Sequence, residues 1–230
     1  MRLAHLQRCS LADFPGHVCA TVFTQGCHWR CPYCHNASLL PAEGDAELSR
    51  EELYRFLDQR AKHVSAVCVT GGEPTEHPDL PWFLATLKHC GLQVKLDTNG
   101  GNPEMLDAVL HEGLVDYVAM DVKGPLSDYG RFAGVKAFDS RPLCESISRL
   151  RAGGVDYEFR TTVIPGWHDA EVVRDIAAEL SGSRVLYLQA FRPDNAHAPA
   201  LRQAAATPPE LLHSCAEAAK PFLPTRLRGA

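Results

Sequence analysis

Residues 64–97 read VSAVCVTGGEPTEHPDLPWFLATLKHCGLQVKLD. The segment opens on an apolar, β-branched run, Val64–Thr70, which stops at Gly71-Gly72. Apolar residues then recur at helical spacing from Asp79 to Cys90, and Gly91 supplies the stop. A second extended run, Leu92–Asp97, follows at once. Strand, helix and strand in so short a span form a βαβ unit, in which the helix returns the chain so that the strands pair in parallel.

The flanking sequence repeats this alternation. Val18–Thr24 reads as a strand ending at Gln25-Gly26. Ser49 and Glu52 form a capping box ahead of Leu53, Phe56 and Leu57. Asn102 caps a helix that Pro103 opens and Gly113 closes, and Tyr117–Val122 is a strand. Gly124–Asp139 is rich in loop residues, and Arg141–Ala152 is helical. Tyr157–Ile164 and Val185–Ala190 are strands with a helix over Asp169–Leu180 between them. Thr207-Pro208-Pro209-Glu210 reads as a capped start for a helix over Leu211–Ala219. This pattern predicts an α/β chain folded as a partial (βα)6 TIM-type barrel, open-sided, with a parallel sheet and outer helices. A flat, doubly wound sheet is the alternative, and in either case ligands gather at the C-terminal ends of the strands. The expected organisation is one domain over 1–230, with a lead-in at 1–17, a core at 18–192 and a helical tail at 193–230.

Composition narrows the class. The 230 residues are 45% apolar and 22% charged, as in an ordinary globular enzyme, and carry a formal charge of -5. That balance argues against a broad grip on nucleic acid or an anionic membrane. Met1–Arg8 has no apolar signal core, and no apolar run approaches the ~20 residues that span a bilayer, so a cytoplasmic protein is expected. Nine cysteines is an odd number, which rules out complete pairing in disulfides. Cys9, Cys19, Cys68, Cys90, Cys144 and Cys215 sit among apolar neighbours and are expected to be small core residues. Trp82 is expected to pack from its helix onto the sheet. The other three cysteines fall together.

Cys27-His28-Trp29-Arg30-Cys31-Pro32-Tyr33-Cys34-His35-Asn36 follows the first predicted strand directly. The spacing C-x3-C-x2-C would also place three thiols on one helix face, but Gly26 at the start and Pro32 inside disfavour a helix. A loop can wrap three thiolates around one object. That object is zinc, completed by His28 or His35, or an iron–sulfur cubane with one iron left without a protein ligand. Spacing alone accepts both.

The pattern C-x3-C-x-aromatic-C, with Tyr33 as the aromatic, resembles the signature of the radical S-adenosylmethionine superfamily. Gly71-Gly72-Glu73-Pro74 resembles that superfamily's GGE segment. Asp97-Thr98-Asn99-Gly100 and Asp121-Val122-Lys123, each at a strand end, resemble the branch that activates glycyl radical enzymes, and so does Asp13-Phe14-Pro15-Gly16. The resemblance runs to about Arg192. It implies a [4Fe-4S] cluster on Cys27, Cys31 and Cys34, with the open iron chelated by the methionine moiety of S-adenosylmethionine. Glu73 and its neighbours would then meet the methionine amino group. It further implies cofactor contacts from Tyr33, Asn36, Gly71, Gly72, Glu73, Pro74, Asp97, Thr98, Asn99, Asp121, Lys123 and Arg160, and a contact between Asp13 and the partner's glycyl loop. No further side chain is given a catalytic role. On this reading His28 and His35 are not ligands.

Strand parity agrees. Gln93, Lys95 and Asp97 share one face of their strand, and Asp121 and Lys123 share one face of theirs. Two carboxylates at the same end of a barrel need positive charge nearby, which the sulfonium, Lys123 or a monovalent cation would supply. In the fifth predicted strand Glu158, Arg160 and Thr162 share a face, and an Arg160–Glu158 pair is the alternative to a cofactor contact. The sixth offers Gln189 and Arg192. The implied partner is a glycyl radical enzyme, with anaerobic ribonucleoside-triphosphate reductase the best match, and a flavodoxin or ferredoxin is the implied electron donor. Two rival readings are a radical enzyme acting on a small molecule, of the deazapurine-precursor type, and a zinc-stabilised binding module without catalysis.

Overall fold

The computed structural model describes residues 1–44, 48–60 and 63–228; the last two residues of the predicted tail lie outside this range. The predicted lead-in is itself a strand, β1 (Leu3–Ser10), paired antiparallel with β2 (Cys19–Thr24). Its centre is exposed, and its register shifts twice, between Leu3 and His5 and between Gln7 and Ser10. A strand so polar and interrupted carries no apolar alternation to read.

From β2 onward the alternation is as expected: α1 (Arg50–Arg60), β3 (Ala66–Gly71), α2 (Leu80–His89), β4 (Gln93–Thr98), α3 (Pro103–His111) and β5 (Tyr117–Asp121). Next come α4 (Tyr129–Ala133), α5 (Arg141–Ala152), β6 (Asp156–Val163), α6 (Ala170–Glu179), β7 (Leu186–Ala190), α7 (Pro209–Ala219) and β8 (Thr225–Arg228). Strand order follows chain order from β1 to β8, and among the described residues the sheet does not close on itself. β2, β3 and β4 pair in parallel, as do β6, β7 and β8. The predicted helical tail therefore ends in a strand.

The chain divides into two compact units. The first comprises Met1–His28, Ser38–Ala119 and Ala152–Asp156. Its core takes Val22, Val67, Val69, Val94 and Leu96 from the strands and Leu53, Leu84, Leu87 and Leu106 from the helices, all fully buried. The second comprises Trp29–Ala37, Met120–Arg151 and Tyr157–Ala230. Its core is built on Phe159, Val163, Leu186 and Leu188, with Leu143, Leu150, Ile176 and Cys215 from the helices. Burying a side chain of this size stabilises by ~1.5–3 kcal/mol, so these stripes fix the helices on the sheet.

Side-chain caps set three of the helix starts. Ser49 Oγ accepts from Glu52 N while Glu52 accepts from Ser49 N, the reciprocal box expected. Asn102 Oδ1 accepts from Met105 N, and Asp169 Oδ1 accepts from Glu171 N and Val172 N. The start of α7 departs from expectation: Pro208 is its N-cap, with no side-chain cap bond. Thr207 Oγ1 donates to Val163 O (2.6 Å) and accepts from Phe191 N (2.7 Å), riveting the ends of β6 and β7. A hydroxyl offered two strand-end partners takes them over a helix N-terminus that water can serve.

Three further expectations change. The stretch read as loop, Gly124–Asp139, contains a 3-10 turn at Leu126–Asp128 and then α4. Trp82 is 56% exposed and stacks under the Arg50 guanidinium at 4.9 Å, because its position on α2 faces away from the buried Leu80, Phe83, Leu84 and Leu87. Among the scattered cysteines, Cys19, Cys68 and Cys215 are core residues, whereas Cys9 and Cys90 are exposed and Cys144 is half-buried. Cys9 lies on the polar stretch of β1, and Cys90 caps α2 at its exposed end. Among the described residues no helix is long and apolar enough to cross a membrane.

Candidate active site

The turn after β3 is built around backbone approach. Gly71 has φ +117°, and a Cβ there would run into the Thr24 backbone; one on Gly72 would run into the Gly26 carbonyl. The space left open lets Gly72 N donate to Thr24 O and Glu73 N donate to Gly26 O, both at 2.8 Å. The GGE turn is thereby stitched to the residue preceding Cys27. Gly26 N and Cys27 N in turn donate to Leu39 O and Leu40 O.

Glu73 points inward and is 1% exposed. Its Oε1 accepts from Thr75 N, Thr75 Oγ1 and Thr98 Oγ1, and its Oε2 accepts from Asn99 N at 2.7 Å. Burial pushes its carboxyl pKa up, and these donors pull against that shift. The carboxylate thus ties the end of β3 to the end of β4. Asn99 is buried; its Oδ1 accepts from Gly101 N, and its Nδ2 donates toward Cys27 Sγ at 3.9 Å. Lys95 is buried, pairs with Asp97 and lies 3.7 Å from Cys68 Sγ. Asp97 also accepts from Thr70 Oγ1. His28 is bound through its backbone N–H and its ring to Glu76. In the 10–18 turn, Asp13 accepts from Thr21 Oγ1 at 2.6 Å and Gly16 has φ +79°.

The second unit holds the rest of the cysteine loop. Arg30 N donates to Ala133 O, and Gly134, with φ +66°, leaves room for the Arg30 backbone. Trp29 is buried edge-on against Tyr129 and Phe138 at 5.8 and 5.7 Å. His35 Nε2 donates to Arg192 O at 2.6 Å and its ring stacks on Phe191, while Ala198 N donates to Pro32 O. Both histidines of the loop are therefore occupied by protein partners. Burial pushes the Cys31 thiol up to about 11, with the Lys123 charge opposing the shift. Burial raises the Cys34 thiol as well, opposed first by the backbone N–H of Asn36 and then by Lys123. Tyr33, buried as well, is raised for the same reason.

Lys123 is the local counter-charge. Burial works against its ammonium, but Asp121, 3.3 Å away, outweighs that and holds its pKa well above the usual lysine range. Its Nζ also lies 5.9 Å over the Trp29 ring. Its side chain is 12% exposed, whereas that of Asp121 is 36% exposed, so the pair is partly buried. Arg160 Nε donates to Asp121 Oδ1 at 2.8 Å, and Glu158 pairs with Arg228. The backbone between Asp121 and Lys123 is clamped: Tyr129 Oη accepts from Lys123 N and donates to Asp121 O. His168 Nδ1 accepts from Ile164 N, which leaves Nε2 as the donor to Lys123 O. Burial lowers the His168 pKa to about 4, so this tautomer is neutral at pH 7. A cavity of about 380 Å³ opens beside His35, lined by Thr162, Gln189, Ala190, Arg192, Asp194 and Asn195.

Two groups of predicted residues are thus brought together: Gly71, Gly72, Glu73, Thr98 and Asn99, with Asn99 reaching Cys27, and Asp121, Lys123 and Arg160, with the Lys123 charge acting on Cys31 and Cys34. Sequence reasoning missed Trp29, Tyr129 and His168. The aromatic pair Tyr129 and Phe132, one helical turn apart, was the available signal for α4; His168 had none. Among the described residues no three His, Cys, Asp or Glu side chains converge tightly enough for a single ion. Thiolates that wrap a cubane each meet a different iron, so their donor chemistry fits a cluster without such convergence.

The Radical SAM superfamily profile matches residues 21–178. The chain belongs to the radical SAM superfamily. Among its relatives is a candidate glycyl-radical enzyme activating enzyme of Methanocaldococcus jannaschii, 32% identical over 82% of this chain and 79% of that protein. The pyruvate formate-lyase 1-activating enzyme of Escherichia coli K12 is 32% identical over 73% of this chain and 70% of its own length. Solved radical SAM structures share the fold. A domain of a pyruvate-formate lyase-activating enzyme from Bacteroides vulgatus superposes with a TM-score of 0.58, at 19% identity, over 72% of this chain and 99% of that one. Streptococcus suis SuiB bound to S-adenosylmethionine gives 0.67, at 12% identity, over 90% and 49%.

Proposed function

We propose that this radical SAM enzyme activates a glycyl radical enzyme, with anaerobic ribonucleoside-triphosphate reductase as the partner. Cys27, Cys31 and Cys34 would hold a [4Fe-4S] cluster. Together the cluster and bound S-adenosylmethionine would supply one-electron cleavage of a sulfonium C–S bond, giving methionine and, after hydrogen-atom transfer from a partner glycine Cα, 5′-deoxyadenosine and a glycyl radical. The chain's own residues hold and orient. Gly71 and Gly72 present backbone to the methionine amino group while Glu73 braces the turn from behind. Pro74 opens the 3-10 turn that carries Glu76. Lys123 and Arg160, both paired with Asp121, would supply positive charge for the cofactor carboxylate, with Tyr33, Asn36, Asp97 and Thr98 as further contacts and Asp97 or Asp121 as a candidate for a monovalent cation. Asp13 would meet the partner loop, and a flavodoxin or ferredoxin would deliver the electron.

The observation that carries this reading is the hydrogen-bonded tie from the GGE turn to Gly26, next to the first cysteine of the loop. Relatives named as activating enzymes support the branch. The E. coli relative favours a second partner, a pyruvate formate-lyase. The test is anaerobic reconstitution with iron and sulfide, reduction, and mixing with each partner and S-adenosylmethionine. A glycyl radical signal by electron paramagnetic resonance in the reductase alone is the expected result; a signal in the lyase alone would reassign the partner. Formation of 5′-deoxyadenosine with no protein radical in either would sink the activase reading.

A further inference from the structure

Asn99 is held by two bonds that leave its side-chain amide a single direction. Its backbone N–H is taken by Glu73 Oε2, and its Oδ1 accepts from Gly101 N at 2.8 Å. The other amide atom is therefore the NH2 group, which can only donate. It points to Cys27 Sγ at 3.9 Å, from a residue 6% exposed. Sulfur is a large, diffuse acceptor, and it accepts better as a thiolate than as a thiol.

We propose that Asn99 is a redox-tuning residue, its amide donating to the sulfur of Cys27, and that Glu73 acts through Asn99 as a positioning residue. The inference rests on Cys27 being a cluster ligand. Adding an electron to a thiolate-bound cluster increases negative charge on the sulfurs, so a fixed N–H donor stabilises the reduced state more than the oxidised one. Because Glu73 and Gly101 hold the amide in place before reduction, little reorganisation opposes the transfer. The buried Glu73 carboxylate gains a role in the same step: its four donors are the means by which Asn99 is aimed.

The test is a potentiometric titration, followed by electron paramagnetic resonance, of the reconstituted chain without S-adenosylmethionine. Asn99→Leu removes the donor at similar volume, and Asn99→Asp keeps the Gly101 contact while replacing the donor with a charge. Asn99→Leu is expected to lower the ratio of reduced to oxidised cluster at a fixed poise about tenfold, ~59 mV for a one-electron couple, and Asn99→Asp by more. Glu73→Gln, which turns an amide donor against the Asn99 N–H in place of its acceptor, should give a smaller fall that disappears in the Asn99→Leu background. Full iron and sulfide content with an unchanged midpoint in both Asn99 variants would overturn the proposal. Loss of cluster uptake in both would overturn it too, leaving a structural role. A Glu73→Gln shift that persists in the Asn99→Leu background would remove Glu73 from it. A wild-type chain that takes up no cluster strikes at the site reading itself and is distinguished from these by its iron content.

Discussion

At the scale of single residues, two glycines show how space decides outcome. Gly113, with φ +64°, has no neighbour near an added Cβ, so Gly113→Ala is expected to cost only the local backbone strain, about 1 kcal/mol. Gly72→Ala would drive a methyl into the Gly26 carbonyl, and hydrogen bonds hold both sides of that contact. We expect it to destabilise by more than about 3 kcal/mol, measured by denaturant unfolding, with loss of iron uptake. A smaller loss would mean that the turn can move without breaking the tie. His168 gives a pH effect. Burial holds it neutral down to about pH 4, whereas the unfolded chain protonates near ~6.5. The unfolded state therefore binds the extra proton as pH falls, and stability present above pH 6.5 is lost toward pH 4, on the order of 2 kcal/mol by pH 5. His168→Gln should be less stable at pH 7 and show a shallower fall from pH 7 to 5. An equally steep fall would assign the effect to other groups.

At the scale of elements, β8 is the part least legible beforehand. Four residues, Thr225–Arg228, carry two arginines and no apolar run, so periodicity could not find them. What places the strand is charge: Arg228 meets the fully buried carboxylate of Glu158 at 3.0 and 3.2 Å, and its guanidinium covers the Tyr187 ring. Arg228→Met is expected to destabilise by about 2–3 kcal/mol, below the usual range for breaking a buried pair because the arginine is partly exposed. Combining it with Glu158→Gln should recover part of that loss. Denaturant midpoints of the four proteins measure both effects, and strict additivity would argue that the pair does not act as a unit. Where patterning was strong, reading was good: Arg141–Ala152 was bounded correctly, because its apolar residues keep helical spacing and Gly153-Gly154 follows. β1 and β8 were missed since edge strands with polar faces have no such pattern, and α4 was hidden by Gly130 within its five residues and by Gly124 and Gly134 on either side.

At the scale of the whole molecule, the α/β class and the parallel order were legible because each βα unit carries its own punctuation. The three cysteines were legible as a motif, and superfamily membership now stands beside them. The inward turn of Glu73, the Tyr129 and His168 clamp and the direction of Asn99 were not, since each depends on which distant backbone group a side chain finds. A binding-linked prediction belongs here. Once reconstituted, the chain should be stabilised by S-adenosylmethionine, by ~2.7 kcal/mol at a hundred times Kd. Cys31→Ala should lose both cluster content and this stabilisation, which a thermal melt with and without S-adenosylmethionine would show. A Cys31→Ala protein with full iron and sulfide would refute the ligand assignment.

The sequential strand order has a consequence for how the protein is made. Each recorded pairing joins strands that are consecutive in the chain. As the polypeptide leaves the ribosome, every new strand finds its neighbour already synthesised and never has to wait for one still to come. Loop closure then spans at most two helices at a time, which keeps its entropic cost low. Assembly can track translation, leaving an unpaired edge that moves along the growing sheet strand by strand as far as β8.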